Sequence, residues 1–340
     1  MHVALIGCGG IARDGYLPAL VHVRTERVTL VDPDPMAGLT AQEYLRASGI
    51  RAVWLRDLSS VDYGIEAAIV AVPPSVLPDA IDALLTARSR PSAILIEKPL
   101  GINFAVASEM IRRVEAVASV AYMETFLHST AYDVLLDELA SARLGPVSRV
   151  ALAVRGKTPP NLDVAWRGDR RCGGEVLHDW GVHSLGLALH LLNSLSALAE
   201  SPEVAVSDAR WMDISGRPVL LSCDMTLEGS RIDTSVRASW EGDPATLESP
   251  DLLVECERGQ LSLVVQKTSG SSNWVCIESS GEIIRNLASR RYAKELFVRG
   301  VDGFLRDVRC GCVISEKYNV TLGLEALRLV DAAYNQAPRR

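Results

Sequence analysis

The feature that most constrains this chain is its amino-terminal run HVALIGCGGIA, where five β-rich residues lead directly into glycines. Gly7, Gly9 and Ala12 stand at the spacing G-x-G-x-x-A, and Gly10 and Ile11 lie between them. The first glycine permits a tight turn, the second lets the backbone approach a pyrophosphate, and the alanine keeps the next helix close to the strand. The helix then offers free N–H groups to the phosphates. The run therefore predicts a dinucleotide-binding strand–turn–helix unit.

A second strand strengthens this prediction. The segment RVTLVD ends in Asp32, where an acidic side chain can bind both hydroxyls of a ribose. A carboxylate there also repels a 2′-phosphate, and the sequence VDPDP that contains it has no arginine to bind one. NAD is therefore favoured over NADP as the cofactor.

Further strands and helices alternate along the first third of the chain. The apolar runs IEAAIVAV and SAILIE flank a helical stretch, which predicts a doubly wound parallel sheet that binds ligands at the carboxyl ends of its strands. Pro73 and Ser75 follow one of these strands and Glu97 and Lys98 end another, so we expect all four to contact the cofactor. A lysine there can donate a hydrogen bond or transfer a proton. We also predict a cis bond between Lys98 and Pro99.

The pattern changes after residue 122. Several β-rich runs separated by turn residues follow a helical stretch, and their spacing favours antiparallel pairing. The predicted fold is α/β: a Rossmann domain over residues 1–122 and an α+β substrate and oligomerisation domain over 123–340, with a large open, mostly antiparallel sheet. A length of 340 residues suits two domains. The broad sheet suggests a self-associating surface, so we expect a homodimer or homotetramer.

Composition excludes several classes of partner. The formal charge of −7 argues against a nucleic-acid surface and gives no reason to expect an anionic membrane. No apolar run approaches the roughly 20 residues of a membrane span, and the amino terminus lacks the cationic stretch of a signal peptide. Seven cysteines without a framework favour reduced thiols. We therefore expect a cytoplasmic protein.

A polar run, GGEVLHDWGVH, occupies residues 173–183. We predict one helix from Glu175 to about Leu192, in which Asp179 and His183, four residues apart, lie on the same face. His178 and His183 are five apart and point well away from each other. A zincin site needs two histidines four apart with a glutamate after the first, and this run has neither feature. We therefore expect an acid–base pair and no metal.

Three motifs together resemble the Gfo/Idh/MocA oxidoreductases, which include glucose–fructose oxidoreductase and inositol dehydrogenases: GCGGIA, EKP at 97–99 and GGEVLHDWGVH. The resemblance runs over nearly the whole chain. It implies that Lys98 contacts the reacting hydroxyl, and that Asp179 and His183 match the D-x-G-x-H pair, whose histidine takes or gives the hydroxyl proton. The chemistry agrees, because hydride transfer to or from a carbinol carbon requires a proton to move on or off its oxygen.

The chain departs from the family pattern in two places. Many members have Thr-Pro-Asn where this chain has VPPS, and many have Asn-Arg where it has METFLHS. The second segment resembles deoxysugar ketoreductases of the family, which often carry tyrosine where this chain has His183. Glu124 and His128 of that segment are candidate substrate contacts, as are Trp166 and Arg167 ahead of the polar run.

These observations predict an NAD-dependent oxidoreductase of a secondary alcohol or ketone on a sugar, cyclitol or aminocyclitol, in the manner of antibiotic-type sugar biosynthesis. An NADPH-dependent reductase of nucleotide keto-sugars is the alternative within the same chemistry. A non-catalytic dinucleotide sensor on the same fold is the alternative from another class. A sensor has no need of Lys98, Asp179 and His183 together, and a metal-dependent hydrolase fails on ligand spacing.

Overall fold

A computed structural model describes residues 1–58, 64–88, 90–156, 166–214, 217–241, 249–268, 271–281 and 283–337. The chain forms two compact units. The first comprises residues 1–101, 105–128 and 293–321, and the second comprises 102–104, 129–292 and 322–340. The expected division at residue 122 thus differs from these units, chiefly because a late segment of the chain returns to the first one.

The first unit contains a parallel sheet, with six strands among the residues described: His2–Ile6 (β1), Arg27–Val31 (β2), Arg51–Leu55 (β3), Ala67–Val70 (β4), Ala93–Glu97 (β5) and Ser119–Met123 (β6). Their order is β3-β2-β1-β4-β5-β6. The helices of this part of the chain are Leu17–His22 (α1), Pro35–Ala47 (α2), Leu77–Thr86 (α3) and Phe104–Glu115 (α4). The central strands β1, β4 and β5 are buried along their whole length, as apolar strands of a parallel sheet require.

Residues 293–321 belong to the first unit because their apolar side chains complete its core. They include most of a helix, Tyr292–Cys310 (α7). Phe297, Val301 and Phe304 of this helix join the buried cluster that contains Tyr16 and Leu20. Tyr16 and Phe297 meet edge to face, with ring centroids 5.1 Å apart. Aromatic pairs favour this arrangement, so the late segment contributes directly to packing around the first helix.

The second unit contains an open sheet, with eight strands among its described residues: Val147–Arg155 (β7), Leu198–Ile214 (β8), Arg217–Ser230 (β9), Asp233–Ser239 (β10), Ser249–Cys256 (β11), Gly259–Thr268 (β12), Ser271–Ser280 (β13) and Ile283–Arg291 (β14). Their order is β14-β13-β12-β11-β7-β10-β9-β8. Strands β7 and β10 pair in parallel, and the other neighbours pair antiparallel. The predicted fold class is therefore confirmed.

Two helices cover one face of this second sheet. Thr130–Ala140 (α5) contacts β12, β13 and β14, and Val182–Ser194 (α6) contacts β7, β8 and β10. Alternation along β7 shows the two faces, because Val150 and Leu152 are buried whereas Ala151 and Ala153 are half-buried. The sheet thus buries one face under its own helices, as an antiparallel sheet commonly does.

The last helix, Val320–Gln336 (α8), packs through one apolar stripe, as its spacing predicts. Ala326, Leu329, Val330 and Ala333 are completely buried and recur at helical spacing. Its other positions include partly exposed polar residues, so the helix is amphipathic. Among the residues described, no helix has the length and apolar character to cross a membrane.

Candidate functional site

The strand register of the first unit brings the predicted cofactor residues to one edge of the sheet. Ile6 lies beside Val31 on one side and beside Val70 on the other. The residues that follow these strands, Gly7 and Asp32 among them, are therefore level with one another. The chain order reverses on the two sides of β1, and doubly wound sheets bind ligands at such a point.

The glycine turn after β1 has the conformation that its sequence predicts. Gly7 has φ +91°, and a Cβ atom on it would lie 2.4 Å from the carbonyl oxygen of Ala71. No heavy atom lies within 4 Å of the corresponding position on Gly9, so the space beside that residue is open. Gly10 and Ile11 are exposed, whereas Ala12 is completely buried. An open, glycine-lined helix start fits a pyrophosphate.

The carboxylate of Asp32 is held directly beside this turn. One oxygen accepts a hydrogen bond from the Cys8 backbone N–H at 2.7 Å, and the other accepts from the Asp34 N–H at 2.8 Å. Asp34 in turn caps helix α2 by accepting from the N–H of Met36. Asp32 remains partly exposed, and carboxylate oxygens have lone pairs left for ribose hydroxyls. These residues fit a nicotinamide dinucleotide.

The loop after β4 lies against the same turn. Its first residues, Ala71 and Val72, provide the closest atoms to the Cβ position of Gly7. Pro73 is half-buried and accepts a hydrogen bond from the Val76 N–H at 3.0 Å, which closes a turn. Ser75, within that turn, is exposed. Contact of Pro73 and Ser75 with the cofactor stays a prediction.

Lys98 follows β5 at the same edge of the sheet, and its bond to Pro99 is cis, as predicted. The lysine is half-buried, while the preceding Glu97 is only 7% exposed. The hydroxyl of Tyr16 donates a hydrogen bond to the Glu97 carboxylate. Burial raises the pKa of Glu97 to about 7, against the opposing effects of the Lys98 charge and the Tyr16 hydrogen bond. Contact of Glu97 with the cofactor stays a prediction.

The two residues expected from the METFLHS segment are in the interior. Glu124 is completely buried, and burial raises the pKa of its carboxyl to about 8 although the Lys98 charge opposes the shift. His128 is buried too, and its ring lies 4.8 Å from that of Tyr318. Sequence reasoning missed the link of Glu124 to Lys98. The available signal was that both residues follow neighbouring strands, β5 and β6.

In the second unit, the helix that carries Asp179 and His183 contains an interruption that the sequence did not predict. A π-helical turn occupies Leu177–Gly181 and leads directly into α6. The expectation of one uninterrupted α-helix is therefore wrong for this turn, because a π turn advances by less than 100° per residue. Asp179 lies within the turn and His183 at the start of α6. Turns of this kind are frequent at functional sites.

Asp179 is held by two side chains. The indole N–H of Trp240 donates to its carboxylate at 3.0 Å, and a guanidinium nitrogen of Arg167 lies 3.6 Å from the same oxygen. Arg167 also stacks on the ring of Trp166, at 5.2 Å from its centroid. The structure thus joins three sequence candidates, Trp166, Arg167 and Asp179, through the Arg167 guanidinium, and it adds Trp240 as a second partner of Asp179. That tryptophan follows β10, far along the chain, and no sequence signal singled it out.

His183 is only 3% exposed, and the ring of Trp180 lies 5.8 Å from its own. Trp180 itself packs onto Gly156, where a Cβ atom would lie 2.5 Å from the indole. The glycine is thus required for this close approach. These contacts fix the surroundings of the histidine within the second unit.

His178 has a different environment from its neighbours. Its two ring nitrogens lie 3.0 Å and 3.1 Å from the carbonyl oxygens of Gly174 and Ile102, and its ring stacks on Tyr334. Burial lowers the pKa of His178 to about 4, so the ring is neutral at physiological pH. It ties backbone segments together. Within the ranges given above, no three His, Cys, Asp or Glu side chains group as metal ligands.

Comparison with protein families supplies the assignment for the first unit. Residues 1–125 match the model of the Gfo/Idh/MocA oxidoreductase family, described as an oxidoreductase family with an NAD-binding Rossmann fold. Over these residues the chain is similar to that family. The predicted resemblance is confirmed, and with it the prediction of a nicotinamide-dinucleotide oxidoreductase at the level of the family. Comparison with curated proteins gives no match.

Solved structures share the fold over the whole chain. KijD10, a 3-ketoreductase from Actinomadura kijaniata solved with NADP and TDP-benzene, has 19% identity and a TM-score of 0.76, covering 99% of this chain and 98% of its own. Levoglucosan dehydrogenase, solved with NADH and levoglucosan, has 14% identity and a TM-score of 0.76, covering 99% and 97%. An oxidoreductase from Agrobacterium radiobacter, solved with NAD⁺, L-tartaric acid and magnesium, has 17% identity and a TM-score of 0.73, covering 99% and 96%. At these low sequence identities, the structural similarity shows that the fold is shared and nothing more.

The glycine turn generates a paired prediction. Gly7→Ala should destabilise the protein, because the new methyl group meets the Ala71 carbonyl and the backbone keeps φ +91°. Gly9→Val should leave the melting temperature of the cofactor-free protein unchanged but weaken NADH binding by at least about tenfold, because its side chain enters the open space. Calorimetry and NADH fluorescence titration measure the two effects. Tight NADH binding by Gly9→Val would contradict the cofactor assignment of this turn.

Proposed function

We propose that this protein is an NAD-dependent oxidoreductase that interconverts a secondary alcohol and a ketone on a sugar, cyclitol or aminocyclitol. The observation that carries the proposal is the edge of the first sheet, where an open glycine turn, the Asp32 carboxylate and Lys98 follow three strands of the same parallel sheet, β1, β2 and β5. The first two suit a dinucleotide, and the lysine suits a substrate oxygen. Two structures with the same fold support the substrate class: one is described as a 3-ketoreductase, and the other is a levoglucosan dehydrogenase solved with levoglucosan.

Each residue of the predicted catalytic set has a role that its chemistry supports. When bound, the nicotinamide gives or takes the hydride at the carbinol carbon. Lys98 donates a hydrogen bond to the oxygen on that carbon and stabilises the negative charge that develops there. His183 takes the hydroxyl proton during oxidation and returns it during reduction. Asp179 helps to orient His183, because both residues belong to one continuous helical segment.

The substrate assay decides between this function and a dinucleotide sensor. Purified protein is offered inositols, aminocyclitols and sugars with NAD⁺, and keto-sugars with NADH or NADPH, while the absorbance of the reduced nicotinamide is followed. We expect turnover with at least one member of these classes. NADH binding without turnover of any member would favour the sensor.

The catalytic assignments are tested by substitution. Lys98→Met and His183→Ala should each lower kcat by a factor of about 10²–10⁴ while NADH affinity stays nearly unchanged, because each removes a group that acts on the substrate oxygen. Lys317→Met and His22→Ala are the matched controls, and both should keep full turnover. Unchanged kcat in both Lys98→Met and His183→Ala would disprove the assignment.

Cofactor preference follows from the charge at the end of β2. Asp32 and Asp34 place two carboxylates there, and Asp32 should repel a 2′-phosphate by about 4 kcal/mol if the charges lie about 4 Å apart at an effective dielectric constant of about 20. Asp32→Asn keeps a hydrogen-bond acceptor and removes the charge. We expect the ratio of NADPH to NADH affinity to rise by roughly tenfold or more. Asp137→Asn, at an exposed position of α5, is the control, and an unchanged ratio in Asp32→Asn would contradict the preference for NAD.

One observation favours the NADPH-dependent keto-sugar reductase as a second candidate. The fold is shared over 99% of the chain with a 3-ketoreductase solved with NADP. The METFLHS segment also favours a keto-sugar reductase, whereas the Asp32 carboxylate disfavours NADPH as its cofactor. The assay above, run with keto-sugars and both reduced cofactors, separates the two candidates.

Two further expectations accompany the proposal. We propose a cytoplasmic location, which the free state of all seven cysteines supports. We also propose a homodimer or homotetramer, formed through the face of the second sheet opposite α5 and α6. That face carries small, half-buried side chains such as Ala151, Ala153 and Ser235, over which another protein surface can pack closely.

A further inference from the structure

The carboxylate of Asp179 has two partners that come from different parts of the second unit. The indole N–H of Trp240 donates to Oδ2 at 3.0 Å, and a guanidinium nitrogen of Arg167 lies 3.6 Å from the same oxygen. The Asp179 side chain is 15% exposed, and Trp240 is 1% exposed. A hydrogen bond to a carboxylate is charge-assisted, and partial burial strengthens it further. Trp240 and Arg167 therefore set the position of this carboxylate.

The sheet holds Trp240 firmly in place. Both polar groups of the peptide bond between Ser239 and Trp240 are hydrogen-bonded. Its N–H donates to the carbonyl of Leu221 in β9 at 2.8 Å, and its carbonyl accepts from the N–H of Gly156, the residue after β7, at 2.9 Å. Strands β7 and β9 are the two neighbours of β10. The indole thus reaches Asp179 from a backbone that is fixed on both sides.

Close backbone packing also fixes Arg167. A Cβ atom on Gly174 would meet the carbonyl oxygen of Trp166 and would lie 2.5 Å from that of Arg167. Only glycine permits this approach, because it has no Cβ. The guanidinium then lies over the Trp166 ring, 5.2 Å from its centroid, which restricts the arginine side chain. The local sequence thus directs Arg167 to Asp179.

The proposed reaction needs a fixed negative charge near its acid–base group. His183 becomes a cation when it takes the hydroxyl proton, and Asp179 lies four residues earlier in the same helical segment. Hydrogen-bond donors to a carboxylate favour its ionised form. Trp240 is a neutral donor, so it holds the carboxylate without cancelling its charge. The Arg167 side chain is 43% exposed, so water screens its charge.

We propose that Trp240 and Arg167 are positioning residues, which hold the Asp179 carboxylate ionised and in place during turnover. The inference rests on the proposed function, since the reaction gives the carboxylate its role. It assigns to Arg167 an action through Asp179 instead of direct contact with the substrate. The two roles differ in kinetics, because loss of a substrate contact raises KM, whereas loss of a positioning residue lowers kcat.

The contact is tested first without any substrate, in NMR spectra of nitrogen-labelled protein. The indole N–H resonance that disappears in Trp240→Phe should shift in Asp179→Asn, because the amide removes the charge that the indole binds. Trp274 is another buried tryptophan of the same sheet, and its resonance, identified by Trp274→Phe, should stay in place. A Trp240 resonance that does not move in Asp179→Asn would overturn the proposal, whatever the activity.

The second test measures kcat and KM with the substrate found in the assay above. Trp240→Phe keeps an aromatic ring and loses the N–H, so it should lower kcat by roughly tenfold while KM and NADH affinity change little. Arg167→Met should lower kcat by a factor of about 2 to 5, and Arg167→Lys, which restores the charge, should recover most of this loss. Trp274→Phe, the same change at the control position, should keep full turnover. A rise in KM at constant kcat in Arg167→Met would make that residue a substrate contact and contradict its positioning role.

A double-substitution cycle shows whether Trp240 acts through Asp179. Asp179→Ala removes the carboxylate, so adding Trp240→Phe should lower kcat by less than about twofold more. Full multiplication of the two single effects would overturn the positioning role of Trp240. If no substrate is turned over, the proposed function fails, and the resonance of Trp240 still decides whether its indole binds the carboxylate.

Discussion

The hydrogen-bonded register between β1 and its two neighbours is the constraint on which the candidate cofactor site depends. Because β1 pairs in parallel with both β2 and β4, all three strands end at one level. The glycine turn, Asp32 and the loop at Ala71 then meet at that level. The hydrogen bond from the Cys8 N–H to Asp32 couples the turn to the acidic residue, so the phosphate and ribose ends of a dinucleotide would be held by one connected structure.

Parallel register between β5 and β6 also brings charged side chains together at the strand ends. It brings two glutamates and one lysine to neighbouring strand ends, in a place from which water is largely excluded. A buried carboxyl is costly unless it is protonated or paired, so the charge state of the cluster depends on its members together. Burial raises the pKa of both glutamates above the usual value, and the Lys98 charge opposes this rise.

The second unit positions its candidate residues by packing. Asp179 lies in a π-helical turn and accepts a hydrogen bond from Trp240, while Trp180 rests on Gly156. The spacing of Asp179 and His183 in the sequence predicts a shared helix face but not the π turn. Trp240 lies some sixty residues away along the chain and meets Asp179 only because β10 packs against the π turn.

The sequence by itself determined the parts of this protein that depend on local chemistry. The glycine spacing, the acidic residue after the second strand, the cis bond before Pro99 and the alternation of apolar runs are all properties of short segments, and short segments dictate turns, strands and helices. Only the tertiary structure decided which distant groups share an environment. It returned residues 293–321 to the first unit, placed Trp240 on Asp179, and buried Glu124 near Lys98. The reason is physical: packing and the electrostatics of buried charges depend on neighbours in space, which a linear pattern does not specify.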